Sequence, residues 1–212
     1  MKKELILIGG GGHCKSCIDV IESEGKYQIV GIVDIKSKVG SKILGYPIIG
    51  TDEDLDELSK KYNYFFITLG HIKKPDLRIK LYNKIKSLNK KLPAIVSPNA
   101  YVSKSAIFSE GTIIMHGAII NADSTIGVNS IINSNALIEH DVIINNHCHI
   151  STSSTINGNC TIDDNVFIGS RSVIIQSINI TKNSIVGAGS VVISDITESG
   201  TYIGNPAKKL RK

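Results

Sequence analysis

Three stretches of this sequence carry residue types and spacings that suit chemistry. The first is Glu139-His140-Asp141. A neutral imidazole is the side chain best matched to general-base work near pH 7. A carboxylate beside it would orient the ring and raise its basicity. Adjacent side chains of a straight strand point to opposite sides, so pairing of His140 with Asp141 calls for a corner. The second stretch is Gly9-Gly10-Gly11-Gly12-His13, directly after the apolar Leu5-Ile6-Leu7-Ile8. A glycine loop that enters a helix presents backbone N–H groups to an anion such as a phosphate. It misses the phosphate loop of NTPases because Cys14 stands where the second glycine is required. The dinucleotide fingerprint fails at the same residue, although Asp34 follows at the distance of a ribose-binding acid. The third stretch, Cys14-Lys15-Ser16-Cys17, is a CxxC at a helix start, where thiol pKa falls. A helix face with two small residues explains it better than redox chemistry.

The elements that must position these residues announce themselves by period. From Ile114 to Ile180 an isoleucine recurs at every sixth position, continuing as Val186 and Val192 and backwards as Phe108, Val102 and Val96. A strict short period is a repeat architecture. Period six fits neither a 3.6-residue helix nor a strand running straight on. It fits a coil with three flat sides, a triangular prism of parallel β-helix type with one large aliphatic side chain pointing inward per side. Two positions before each isoleucine stand small residues, among them Thr112, Ala118, Ser124, Ser130, Ala136, Cys148 and Cys160. Such residues fit the second inward slot of a densely packed interior. Asn, Asp, Gly and Ser crowd the rest, as corners require. About seventeen rungs make between five and six coils, with no long loop expected out of them. Cys148 then points inward, which argues against zinc at His147-Cys148-His149. His149 falls on a corner or the outer surface. His116 and His147 read as solvated surface histidines.

Before the prism the pattern is strand, helix, strand, helix, strand. The strands are Glu4–Ile8, Tyr27–Val33 and Tyr64–Leu69, with an extended Ile43–Ile49 broken at Gly45-Tyr46-Pro47. The helices are Cys14–Glu24, Asp52–Tyr62 capped by Thr51, and Asp76–Leu88; a short strand Leu92–Val96 leads into the repeat. This is a βαβαβ α/β domain with a parallel sheet, placed at 1–95, with the prism at 96–212. Ligands of such sheets bind beyond the carboxyl ends of the strands. Gly11-Gly12-His13, Asp34-Ile35 and Gly70-His71 lie there, and a mononucleotide or nucleotide-sugar would fit. The net charge is +5, but the lysines are scattered and there is no tryptophan, so nucleic-acid binding is not indicated. No run approaches the ~20 apolar residues of a membrane span, and a cytoplasmic protein is expected.

On these motifs, together with Val186-Gly187-Ala188-Gly189-Ser190 and Gly204-Asn205-Pro206-Ala207-Lys208, the whole chain resembles one family. This family is the sugar O/N-acyltransferases of the bacillosamine N-acetyltransferase and sialic acid O-acetyltransferase type. The resemblance implies a left hand for the β-helix, a homotrimer, and acetyl-CoA as co-substrate in the groove between two prisms, with no metal. It also implies that His140 is the general base and Asp141 its partner, where bacillosamine enzymes have glutamate. His149, Ser170 and Ala188 would contact acetyl-CoA. Gly11, Gly12, His13, Asp34, Ile35 and Gly70 would bind the nucleotide-sugar, with Asn133 beside the acceptor amine. The implied reaction is N-acetylation of a nucleotide-linked amino-sugar, of the UDP-4-amino-4,6-dideoxy type, in bacterial glycan biosynthesis. O-acetylation of a sialic-acid-like sugar, and a β-helix scaffold without chemistry, are the alternatives.

Overall fold

The structure is a computed structural model that describes residues 2–72 and 74–210. The apolar run after Lys2 forms the central strand β1 (Lys3–Ile8), flanked by β2 (Tyr27–Val33) and β5 (Tyr64–Ile67), both parallel to it. The sheet is wider than the βαβαβ pattern implies. The extended stretch after residue 41 folds as an antiparallel hairpin of β3 (Lys42–Ile43) and β4 (Tyr46–Gly50), and β4 pairs in parallel with β2. Leu44 and Gly45 turn that hairpin at positive φ. The order is β3-β4-β2-β1-β5. Helices α1 (Gly12–Glu24), α2 (Leu55–Lys61) and α3 (Asp76–Ser87) complete the unit. Thr51 and Asp54 form a reciprocal capping box ahead of α2, which satisfies N–H groups a helix start leaves free.

The short strand expected at Leu92–Val96 narrows to Ile95–Val96 and pairs with Ile113–Ile114, so it is the first rung of the prism. From there seventeen two-residue rungs wind to Val191–Val192 as a left-handed parallel β-helix. Register advances 18 residues per coil, as in Ile131 beside His149 and His149 beside Phe167. We denote the sides face A (rungs at 113, 131, 149, 167 and 185), face B (101, 119, 137, 155, 173 and 191) and face C (107, 125, 143, 161 and 179). The periodic isoleucines are the core, essentially unexposed from Ile114 to Ile180, and each contributes about 1.5–3 kcal/mol by burial. The small slots are equally closed. Their hydroxyls bond backbone carbonyls inside the coil, as Thr112 does to Gly127 and Ser124 to Glu139, which offsets the cost of burying them.

The corners have their own period. Every sixth residue from Gly111 to Gly189 has positive φ, including Asp123, Asn129, Asn135, Asp141, His147 and Asn159. Glycine, Asn and Asp tolerate this left-handed conformation best, which accounts for their abundance there.

The α/β domain sits on face A. Ile113, Met115 and Ile131 pack with Cys14, Cys17, Ile18 and Ile21 of α1 in one core. Both α1 thiols are wholly buried and their pKa values are raised by desolvation, so the CxxC belongs to this interface. Arg78 of α3 fastens the other side. It is 2 % exposed and donates to the carbonyls of Ile67 and Leu69 in its own domain, and of Gly111 and Asn129 in the prism.

Candidate active site

The corner that follows Leu137–Ile138 joins faces B and C and carries His140 and Asp141. The left-handed backbone at Asp141 (φ 58°) turns its side chain back on its neighbour, and His140 Nδ1 lies 2.7 Å from Asp141 Oδ2. This bond, with the nearby charges of Asp141 and Glu139, raises the His140 pKa above the ordinary histidine value. The ring is 63 % exposed, so its outer nitrogen is open to a substrate. Below it lies Gly158, one coil on; a Cβ there would stand 2.7 Å from His140 Cε1. Gly158 does not stand out by residue type or motif in the sequence. The signal was a glycine in the position following His140 by one full 18-residue coil.

His149 has a different environment from the one expected. It lies in the rung His149–Ile150, on the flat of face A, facing outward but 7 % exposed because the α/β domain covers it. Its Nδ1 donates to the carbonyl of His71 at 2.7 Å, and its Nε2 accepts from Asn133 Nδ2 at 3.2 Å. Phe167 meets the ring edge-on at 5.1 Å. Burial drives its pKa down to about 4, so it is a neutral imidazole with one tautomer. His147 also departs from the solvated reading: it is part-buried, bonded to Asn129 and stacked edge-on with Tyr82. His116 bridges Ser97 and Asp19 of α1.

Around His149 the two domains enclose a cavity of about 460 Å³, lined by Gly11, Gly12, His13, the segment from Thr68 to Ile72, Asn133 and His149. The first N–H groups of α1 have no acceptor within the helix, and nothing stands within 4 Å of a Cβ placed on Gly11 or Gly12. A second cavity of about 320 Å³ adjoins it through Leu69 and holds Gly9, Asp34, Ile35, Thr51 and Asp52. Asp34 is tied into the fold: it accepts from the N–H groups of Gly10 and Ile35 and from Lys38 Nζ. Its pKa is lowered by these bonds, although burial pulls the other way. A Cβ at Gly10 would stand 2.6 Å from its carboxylate, so the glycine permits the approach.

The structure therefore gathers Gly11, Gly12, His13, Gly70, Asn133 and His149 at one cavity and Asp34 with Ile35 at its neighbour. Ser170 shares a hydrogen bond with Ser151 at 2.9 Å on the edge between faces A and B, and Ala188 lies exposed one coil further along. His140 and Asp141 are not among them. They stand a full side of the prism away, across face B.

A glycine loop over a parallel sheet, docked on a left-handed hexapeptide β-helix with a histidine–carboxylate pair at its corner, defines the class of hexapeptide-repeat sugar acetyltransferases. Comparison with known proteins agrees. The family model described as the PglD N-terminal domain matches residues 4–85. A histidine-to-asparagine variant of perosamine N-acetyltransferase from Caulobacter crescentus, in complex with CoA and GDP-perosamine, is similar at 33 % identity and a TM-score of 0.93, over 99 % of this chain and 97 % of that one. The acetyltransferase domain of PglB from Neisseria gonorrhoeae, in complex with acetyl coenzyme A, is 30 % identical with a TM-score of 0.92, over 99 % and 100 %. A Saccharomyces cerevisiae protein, YJL218W, an acetyltransferase by name only, is 53 % identical over 47 residues, which span 22 % of this chain and 24 % of that protein. The chain belongs to the hexapeptide-repeat sugar acetyltransferases.

Proposed function

We propose that this protein transfers the acetyl group of acetyl-CoA to the amine of a nucleotide-linked amino-sugar, with His140 as general base. The single observation that carries the reading is the pairing of His140 with Asp141 at 2.7 Å on an open corner. The sugar amine attacks the thioester carbonyl; as the tetrahedral intermediate collapses the C–S bond breaks, and CoA leaves as a thiolate that ends as the free thiol with the proton the amine gave up. His140 takes the proton the amine loses, and its raised pKa makes it the stronger base. Backbone N–H groups of a coil stabilise the oxyanion, and much of the rate comes from holding both substrates in reach. The nucleotide occupies the cavity at Asp34 and Ile35, its diphosphate the start of α1, and the sugar the cavity at His13 and Asn133, with His149 where the sugar meets the thioester end of acetyl-CoA. Acetyl-CoA runs along the edge that carries Ser170 and Ala188. The relatives crystallised with CoA or acetyl-CoA, and with GDP-perosamine, support this pair of substrates.

His140 cannot serve the cavity of its own chain from across face B, so a second copy has to supply it. Face B suits such packing: Tyr101, Ile119, Leu137, Val173 and Val191 form an outward, largely apolar column interrupted at Thr155, with Tyr101 59 % and Ile119 40 % exposed. Closed symmetry is the rule for oligomers, and three prisms packed through this face make the homotrimer. No helix among the described residues is long and apolar enough to cross a membrane, and we place the enzyme in the cytoplasm with its acetyl-CoA. The test is thiol release with mass detection over a panel of nucleotide amino-sugars and sialic acids. His140→Ala should lose about 10²–10⁴ in rate while still binding acetyl-CoA. No acetylation of any nucleotide amino-sugar, or a His140→Ala enzyme at wild-type kcat, overturns the reading.

A further inference from the structure

Of the polar side chains that line the cavity at the domain junction, three are already bonded within the protein. Thr68 Oγ1 bonds the carbonyls of Ile8 and Gly9. Asn133 Oδ1 accepts from Ser134 N while its Nδ2 serves His149, and both nitrogens of His149 are occupied. What is left over is imidazole. Both ring nitrogens of His71 and Nε2 of His13 are buried with no hydrogen-bond partner among the described residues. His71 is 8 % exposed, and its ring centroid stands 5.5 Å from that of His149; the ring of His13 stands 6.4 Å from that of His149. Buried donors and acceptors without partners are costly and uncommon, and here three belong to two residues that line one ligand-sized space.

The charge state narrows the ligand group. Burial, with the field of Arg78 and the neighbouring histidines, holds His13 and His71 down to about 3. Both are neutral at working pH, and each offers one donor and one acceptor. A phosphate oxygen only accepts, so it would leave the acceptor nitrogens unserved. A sugar hydroxyl both donates and accepts.

We propose that His71 is a specificity-determining residue that reads a ring hydroxyl of the acceptor sugar next to the reacting amine. This rests on the nucleotide-sugar reading above. His71 acts twice on the same site: its carbonyl holds His149 in its tautomer, and its side chain selects the sugar. The side chain alone is removed by substitution, which leaves the carbonyl in place. Its selectivity follows the general rule that a site built to bond a hydroxyl rejects the analogue lacking it, because its own polar groups are then left unpaired.

The test compares His71→Leu, His71→Asn and the natural protein on two probes, GDP-perosamine and its 3-deoxy analogue, with free GDP as a binding control. The natural enzyme should favour the hydroxylated sugar by about 10- to 100-fold in kcat/KM, the cost of leaving one buried polar group unpaired. His71→Leu should erase that preference, losing rate on GDP-perosamine and little on the deoxy analogue. His71→Asn, which keeps a donor and an acceptor, should restore part of it, and the affinity for GDP should stay unchanged in all three. Equal losses on both sugars, or a preference that survives in His71→Leu, overturn the proposal. If the natural protein acetylates neither sugar nor any other nucleotide amino-sugar, the failure lies with the functional reading instead.

Discussion

Arg78 is the residue whose replacement should most loosen the molecule, and replacement by lysine should be no gentler than by methionine. None of the ion pairs among the described residues involves it. Its guanidinium instead meets four carbonyls, at 2.7 and 2.9 Å for Ile67 and Leu69, and at 3.2 and 3.3 Å for Asn129 and Gly111. Burial lowers its pKa to about 10, so it stays charged at neutral pH. Allowing about 2 kcal/mol for each short bond and about 1 kcal/mol for each long one gives roughly 6 kcal/mol. Desolvating a cation without a carboxylate offsets several of these. The native arrangement thus gains little net energy, yet removing the side chain strands the carbonyls. Each buried carbonyl left unpaired costs about 1–3 kcal/mol; if water reaches two of the four, Arg78→Met loses roughly 2–6 kcal/mol. Arg78→Lys keeps the buried charge, and one ammonium cannot span all four acceptors, so its loss should be at least as large. Urea unfolding of both variants checks this. Because Arg78 joins α3 to two prism corners, KM for the nucleotide-sugar should also rise more than KM for acetyl-CoA. A methionine variant within about 0.5 kcal/mol of the natural protein, the range of an ordinary surface change, would refute the reasoning, as would a lysine variant that behaves like the natural protein.

Two further outcomes test the corner. Asp141→Asn keeps a residue suited to left-handed backbone, so the coil should survive. Since Asp141 raises the His140 pKa, kcat/KM should rise with pH through an ionisation above the usual histidine value in the natural enzyme. In the variant that ionisation should move to lower pH, with a lower plateau, because the free base is present sooner but is weaker; an unmoved acid limb refutes the pairing. Gly158→Ala should leave stability within about 0.5 kcal/mol, since the atoms its methyl meets are the tip of an exposed ring. The displaced His140 should lose roughly 10- to 100-fold in kcat, as small misplacements of a catalytic group do; full activity would show that the ring works from another position.

By itself the sequence determined the prism. A six-residue period carries its own proof, because every inward slot sees the same two neighbours one coil away, and the slots from Ile114 to Ile180 are all closed as the period demanded. It also determined the pairing of His140 with Asp141, since they are chain neighbours and the corner that turns them together is part of the repeat. What depended on distant contacts was invisible to it. The hairpin of β3 and β4 is too short for periodicity to show, and β4 is placed by pairing with β2. His149 read as a surface residue because an outward position on face A looks the same in sequence whether or not a domain covers it. Arg78 read as one more cation in a lysine-rich helix, yet only it among them meets the ends of β5 and two prism corners at once. Tertiary structure alone also set the separation of His140 from the cavity at the domain junction. The winding of the coil puts one on the edge between faces B and C and the other beside the edge between A and B, and no local pattern records which edge a covering domain will choose.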